Sequence, residues 1–301
     1  MKQKLIFLLS ILLSAFSITA TAAPLIRNAE LSNAVAKAEA LSAEGDCVAA
    51  AGAYLEAINI TNVDAQAELN ENKALCLYPY VLGLHLDRLE CLRKARRRRL
   101  ESFGEECRQI LAKFKNQAAG NKWNGYMAVY EQLMRHYRVN KNKEMVIKTY
   151  EEAVDYNPWH NNTCYYIDYL LQIAPDPIDD NTISKIETAM EKYKQAAGKF
   201  SSGMGIRKLF FTKKIGGDVF NEAIEYLKTH PNTVFGEIRL AITMAREAIS
   251  FDKPEQIKQY YNALTVLAVK QPNDKAHLEA IGFILNEKKK IEAIVPEIKN
   301  P

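Results

Sequence analysis

Cysteine and histidine are the side chains of this 301-residue chain with the most reactive chemistry, and their spacing suggests the first hypothesis. His160 and Cys164 stand four residues apart, which brings two side chains to one face of a helix. Such a pair could form the thiolate and imidazolium of a cysteine nucleophile. A buried structural cysteine is the competing interpretation, and we favour it for Cys164.

Patterns for metal binding and acid–base catalysis are sparse. The chain contains no CxxC and no HxxxH, its five histidines are scattered, and Glu151 and Glu152 fall on a helix predicted to be exposed. Structural zinc sites need closely spaced Cys and His ligands, and glycoside hydrolysis needs two carboxyl groups that flank one bond. The sequence therefore predicts no catalytic residue, no metal site and no cofactor.

The run Arg93–Arg99 (RKARRRR) is the densest charge in the chain. We predict that it lies on a helix, so that its charges spread around the helix axis and pair in part with the glutamates that follow. One interpretation is a solvated helical face. The other is peripheral contact with an anionic membrane surface or an acidic partner. That contact would be made by Arg93, Arg96, Arg97 and Arg99.

The first 22 residues have the three parts of a secretory signal peptide. Lys2 and Lys4 precede an apolar run, LIFLLSILLSAF, and Ala20-Thr21-Ala22 supplies the small residues before a cleavage site. A retained membrane anchor is the alternative, but the run is shorter than the roughly 20 residues of a spanning helix. Cleavage removes two lysines and lowers the formal net charge from +4 to +2. We therefore expect a periplasmic or secreted protein, whose near-neutral charge argues against nucleic-acid binding.

Export would allow the cysteines to form disulfides, and an odd number leaves at least one thiol unpaired or bridging two chains. In an antiparallel helix pair, facing residues lie about equally far from the turn. Cys47 and Cys76 are centred on a predicted turn at Thr61–Asn62, so this is the pairing we predict first. Two alternatives remain open: a Cys76–Cys91 pair centred on Gly83, and a Cys91–Cys107 pair if the chain reverses at the arginine run.

Helical signals run through the whole mature chain, and glycine and proline are sparse, so we predict an all-α fold. Asp179, for example, precedes a helical pattern that ends near Ala197, which marks it as an N-cap. One stretch, residues 199–217, is rich in glycine and serine and then basic and aromatic. We interpret it as a connector loop between a repeat region, 23–198, and a C-terminal helical region, 218–301.

Two segments share a spacing of small and aromatic residues. Ala50, Tyr54 and Ala57 follow a Gly-Asp turn, and Tyr150 and Ala153 precede a proline at position 158. This pattern resembles the second helix of a tetratricopeptide (TPR) repeat, in which small residues let two helices approach closely. The resemblance implies an α-solenoid of antiparallel helix pairs. In the best repeat, 127–159, it also implies an inner face made of Tyr130, Leu133, Met134 and Tyr137.

The resemblance further implies a ligand groove lined by the first helices of successive repeats. Seven residues fall at the groove positions that we predict to bind: Glu131, Arg135, Arg138, Asn162, Tyr165, Tyr169 and Gln172. Two guanidinium groups and two tyrosines would suit a peptide carboxylate and an apolar side chain. A solvated helical face is the alternative interpretation of the same residues.

The sequence thus predicts an exported, non-catalytic TPR-like scaffold that binds a protein or peptide in the cell envelope. Two other classes remain open: an exported helical enzyme acting on cell-wall or glycan material, and a structural envelope component. An enzyme would need a deep pocket with convergent acid and base groups, whereas a scaffold would present a continuous groove. The oligomeric state is left open.

Overall fold

The computed structural model describes residues 29–61, 71–119, 124–230, 234–270 and 278–299, and the side chains of 71–77, 117–119, 270 and 299 are not included. The predicted signal peptide, 1–22, lies outside these residues. The described part of the chain contains thirteen α-helices, two short 3₁₀-helices and no strand. The predicted all-α class is therefore confirmed. None of the described helices combines the length and apolar character needed to cross a membrane.

The chain divides into two compact units between Asn157 and Pro158. The first unit contains six helices: α1 (Ala29–Glu44), α2 (Cys47–Thr61), α3 (Glu71–Lys94), α4 (Glu101–Ala119), α5 (Asn124–Val139) and α6 (Lys143–Tyr156). Each packs against its neighbour in the chain, and α3 also packs against α5. A 3₁₀-helix, Arg97–Arg99, joins α3 to α4 and contacts α3, α4 and α5.

The second unit contains seven helices: α7 (Asn161–Ile173), α8 (Asp180–Ala197), α9 (Ser202–Lys214), α10 (Val219–Thr229), α11 (Phe235–Ala248), α12 (Pro254–Lys270) and α13 (Leu278–Ile294). A 3₁₀-helix, Pro296–Lys299, follows α13 and packs on it. Helices α9 to α13 share one hydrophobic core, in which Tyr260, Leu264 and Ile284 are fully buried.

Polar side chains start several of these helices, because the first turn leaves backbone N–H groups without partners. Asp179 accepts a hydrogen bond from the Thr182 N–H at 2.9 Å, so the predicted N-cap of α8 is confirmed. Gly198 ends the same helix at a φ of 75°, a conformation that glycine adopts without steric cost. Local sequence signals therefore set both ends of α8.

The apolar positions picked out by the sequence pattern are buried. Ala50 and Ala57 on α2 and Ala153 on α6 are inaccessible to solvent, and Tyr54 and Tyr150 are buried beside them. The inner face predicted for α5 is buried as well, at Tyr130, Leu133, Met134 and Tyr137. The side-chain pattern therefore identified which face of α2, α5 and α6 packs inward.

The prediction of a connector loop over residues 199–217 is wrong for most of this segment, because the segment contains α9. The Ser201 hydroxyl caps this helix by accepting from the Met204 N–H at 3.3 Å. Met204, Leu209 and Phe211 are buried, and α9 packs against α7, α10 and α11. Glycine and serine in this segment mark a helix start and a close helix contact, which composition alone did not distinguish from a loop.

Candidate functional site

The arginine run ends a helix and does not continue it, which corrects the prediction of a helical run. Helix α3 stops at Lys94, and Arg96 adopts a left-handed φ of 59°. The chain then makes the 3₁₀-helix and enters α4 after Leu100. We call residues Arg96–Leu100 the arginine turn.

Helix α5 holds the backbone of the arginine turn in place. His136 Nδ1 donates to the carbonyl oxygen of Arg98 at 2.6 Å, and Asn140 Nδ2 donates to that of Arg99 at 3.2 Å. The Arg98 side chain points back to the same helix and donates to Gln132 Oε1 at 3.0 Å. Because both carbonyls and one side chain are fixed, the turn is pre-organised.

The remaining side chains of the arginine turn face solvent. Arg96, Arg97 and Arg99 are exposed, and Leu100 beside them keeps 48% of its surface accessible. Arg93 differs, because its guanidinium donates to Glu90 on the same helix. Burial lowers the pKa of Arg98, and the nearby charges of Arg135 and Arg93 lower it further. The turn therefore presents three accessible guanidinium groups around one exposed apolar side chain.

The predicted groove residues on α5 form an exposed basic face. Arg135 Nη2 lies 3.8 Å from Glu131 Oε2, a loose ion pair one helical turn apart. Glu131 is partly buried, and burial raises the pKa of its carboxyl group. The Arg138 guanidinium lies over the Tyr150 ring, 5.8 Å from its centroid, at a distance typical of a cation–π contact. Arg135 and Arg138 are both exposed on α5.

The predicted groove residues on α7 separate into two pairs. Asn162 is 0% exposed and Tyr169 is also buried, so these two side chains belong to the interior of the second unit. Tyr165 is 47% exposed, and Gln172 is exposed on the same helix. The register implied by the resemblance is therefore only half compatible with a ligand-binding face on α7.

Two residues that the sequence did not single out lie beside this exposed face. Arg207 on α9 donates to Asp168 Oδ2 at 2.6 Å and to the carbonyl oxygen of Cys164 at 3.0 Å, which ties α9 to α7. Phe210 follows one turn later and is exposed. The basic and aromatic residues of segment 199–217 indicated both Arg207 and Phe210, but the segment was interpreted as a connector loop.

The histidines near the predicted chemistry have structural partners. His136 is buried, donates to a backbone carbonyl and stacks on Phe103 at 6.0 Å between ring centroids. His160 Nδ1 accepts from the Asn162 N–H at 3.2 Å and so caps α7. Cys164 is buried, and burial raises the pKa of its thiol, which favours the neutral form over a nucleophilic thiolate.

The described thiols are all free, and they include Cys47. The side chain of Cys76 lies outside the described residues, so the Cys47–Cys76 disulfide stays a prediction. Cys91 is buried, and its sulfur lies 3.8 Å from Ser42 Oγ, next to the turn that leads into Cys47. The described residues contain no group of three or more Cys, His, Asp or Glu side chains placed to hold a metal ion.

Comparison with known proteins adds no identification. No protein-family model matches this chain, and no curated protein matches it. The functional argument therefore rests on the helices and side chains described above.

Proposed function

We propose that this chain is an exported TPR-like α-solenoid scaffold that binds a protein or peptide partner in the cell envelope and catalyses no reaction. The observation that carries the proposal is the order of helix packing. Within each unit, the main contacts between described helices join neighbours in the chain or helices next but one. In the second unit, α9 packs against α10 and α11, and α10 packs against α11 and α12. Solenoids have this packing order, because each repeat contacts only adjacent repeats.

Close helix approach at small residues supports the same proposal. A Cβ atom added at Gly104 of α4 would lie 2.7 Å from His136 Nε2 on α5. A Cβ atom added at Gly205 of α9 would lie 2.8 Å from Tyr226 Cδ2 on α10. In both units a small residue of one helix thus meets a ring of the next, as small and aromatic residues do in TPR pairs.

The exposed side chains favour binding of a peptide segment. Arg135 and Arg138 on α5 offer guanidinium groups, which bind carboxylates through paired hydrogen bonds. Tyr165 and Phe210 in the second unit offer accessible aromatic surface, and Gln172 offers an amide that can pair with peptide groups. We take these as two separate contact surfaces, one in each unit.

The test is capture of a partner by variants of each surface. The chain is cross-linked in a periplasmic extract, and its partners are quantified by mass spectrometry. We expect Arg135→Glu and Tyr165→Ala each to reduce capture of the same partner at least tenfold, since exposed arginines and aromatic residues dominate interfaces. The matched controls are Lys148→Glu and Phe251→Ala, which alter exposed residues that belong to neither proposed surface. Equal capture by all four variants would contradict the proposal.

Tyr169 does not serve this test, although it is a predicted groove residue. Because its side chain is buried, Tyr169→Ala would remove packing inside the second unit. Any loss of capture by that variant would report unfolding and not a lost contact with the partner.

A further inference from the structure

The arginine turn shares no residue with the surfaces described above. It differs from them because three exposed arginines surround one exposed leucine. We propose that Arg96, Arg97, Arg99 and Leu100 form a docking site for the surface of an anionic phospholipid bilayer. None of these four residues belongs to the proposed partner surfaces, so vesicle binding and partner capture are tested with different variants.

The first argument is charge complementarity on a fixed frame. Three exposed guanidinium groups lie within four consecutive residues, and exposed Lys94 precedes them. The backbone between them is held by His136 and Asn140, so the cations keep their positions without a ligand. Guanidinium groups bind phosphate oxygens in pairs, and each basic residue near an anionic membrane adds to the attraction.

The second argument is the apolar side chain among the cations. Leu100 is 48% exposed, although α4 begins at the next residue and offers buried positions at Phe103 and Cys107. An apolar side chain flanked by cations is the composition of segments that lie at the boundary between lipid headgroups and acyl chains. A peptide made only of acidic residues would satisfy the arginines but would leave Leu100 in water.

The acidic residues nearby do not neutralise the turn. Glu90 accepts a hydrogen bond from Arg93, and Glu106 accepts one from Arg88 Nε at 2.6 Å. Glu101 is the exposed carboxylate closest in sequence to the turn. Glu105 is also exposed, one turn further along α4. Three exposed guanidinium groups therefore outnumber two exposed carboxylates, and the local charge stays positive.

Sedimentation with lipid vesicles tests the proposal. The purified chain is first checked by mass for loss of residues 1–22, because that apolar segment would bind lipid by itself. We expect binding to equimolar phosphatidylglycerol and phosphatidylethanolamine and none to phosphatidylcholine. Replacing the cations in Arg96→Asn, Arg97→Gln, Arg99→Gln should weaken binding about a hundredfold, since each basic residue contributes about fivefold. Asparagine is chosen at position 96 because it tolerates a positive φ.

Leu100→Gln is the second variant, and it removes the apolar contact without changing charge. We expect it to weaken vesicle binding about tenfold. The matched control is Lys228→Gln, Lys258→Gln, Lys289→Gln, which removes the same charge from exposed positions in the second unit. This control should bind vesicles like the unmodified chain, and circular dichroism should show equal helicity for all variants.

Three results would overturn the proposal. In the first, the unmodified chain does not bind anionic vesicles. If it binds polyglutamate instead, the turn is a site for an acidic polypeptide. Both turn variants could bind vesicles as tightly as the unmodified chain. The lysine control could lose as much binding as the arginine variant, which would show attraction by net charge alone. None of these results bears on partner capture through Arg135 or Tyr165.

Discussion

Cys47 and Cys91 are the two described thiols with the best opportunity to meet. Arg88 Nη1 donates to the carbonyl oxygen of Ala51, which places the C-terminal part of α3 against the first half of α2. Four residues before Ala51 is Cys47, and three residues after Arg88 is Cys91. In an antiparallel pair these shifts point the same way, towards the α1–α2 turn, where Cys91 also contacts Ser42. Burial raises the pKa of the Cys91 thiol, and proximity to Cys47 raises it further.

We therefore predict that glutathione disulfide links Cys47 to Cys91. Each bond formed releases two molecules of reduced glutathione and consumes one of the disulfide. Peptide mapping of the non-reduced protein should detect a Cys47–Cys91 peptide, and Cys91→Ser should abolish it. Cys107→Ser is the matched control, because Cys107 is a buried thiol on α4. Recovery of Cys47 joined to Cys76 would contradict this prediction and support the pairing expected from sequence.

His85 is a second residue whose environment makes a measurable prediction. Neither ring nitrogen of His85 has a hydrogen-bond partner among the described residues, and its ring lies edge-on to Phe114 at 5.7 Å between centroids. Burial lowers the pKa of His85 to about 4, and the charges of Lys113 and Arg88 lower it further. Because the folded state resists protonation, His85 stabilises the protein less as the pH falls from about 6.5 towards 4.

Replacing His85 with phenylalanine should remove this acid sensitivity. We expect the free energy of unfolding of His85→Phe to rise relative to the unmodified protein by about 2 kcal/mol between pH 7.5 and pH 4.5. Urea unfolding at both pH values, followed by circular dichroism, measures the change. The comparison is a difference between two proteins, so other titrating groups contribute equally to both. A constant difference across this range would mean that the pKa of His85 is the same in the folded and unfolded states.

At the scale of helices, close packing between neighbours determines stability. Gly205 tests this at the contact between α9 and α10. Its added Cβ would lie within 3 Å of two ring atoms of Tyr226, which is buried and stacks on His230 at 4.7 Å between centroids. The ring therefore has little freedom to move. We expect Gly205→Ala to lower the free energy of unfolding by about 1–2 kcal/mol, because overpacking outweighs the gain in helix propensity.

Gly52 on α2 is the matched control for Gly205. It is also inside a helix, but an added Cβ would meet no atom of the described residues within 4 Å. Gly52→Ala should therefore raise the free energy of unfolding by about 0.5–1 kcal/mol. Thermal and urea unfolding of the two variants give the signs directly. Stabilisation by Gly205→Ala would show that α9 and α10 do not approach as closely as described.

Sequence reasoning succeeded where a local signal decides the element. The cap at Asp179 and the inward spacing of Tyr130, Leu133 and Met134 depend on neighbouring residues, and both were predicted. Sequence reasoning failed at α9 and at the arginine turn, because contacts with residues distant in the chain determine the structure of both. Arg207 ties α9 to α7, and α5 holds the turn through His136. A single sequence does not contain these partners as a local pattern.

The same limit applies to the candidate sites. The register of the resemblance chose Arg135 and Tyr165, which are exposed, and by the same rule Asn162 and Tyr169, which are buried. The cysteine pairing used a predicted turn centred on Thr61–Asn62, whereas α2 continues to Thr61 and α3 begins at Glu71. A shift of a few residues in one turn is enough to change which cysteines face each other.

At the scale of the whole chain, each unit has the contacts of an independently folding body. In the second unit, residues from α9, α10, α11, α12 and α13 form one core. We predict that residues 158–301, expressed alone, are helical and unfold in a single cooperative transition. Far-UV circular dichroism and urea titration measure both properties. A broad, non-cooperative transition would show that this unit depends on the first.

Glu287 provides a probe of that independence, because it is a carboxylate only 4% exposed within the core of the second unit. Lys290 Nζ donates to it at 2.5 Å, Arg246 Nε lies 3.9 Å away, and the buried Tyr260 hydroxyl lies at 3.4 Å. Glu287→Ala removes the carboxylate from the buried Tyr260 hydroxyl and from two cations that are partly exposed, at a cost of about 1–3 kcal/mol, since a buried hydrogen-bonding group left without its partner is destabilising. If the second unit folds by itself, the cost is the same in residues 158–301 and in the full chain, because distant sites contribute additively. Urea unfolding of the four proteins measures both differences, and a cost that differs between residues 158–301 and the full chain would show that the first unit alters the surroundings of Glu287.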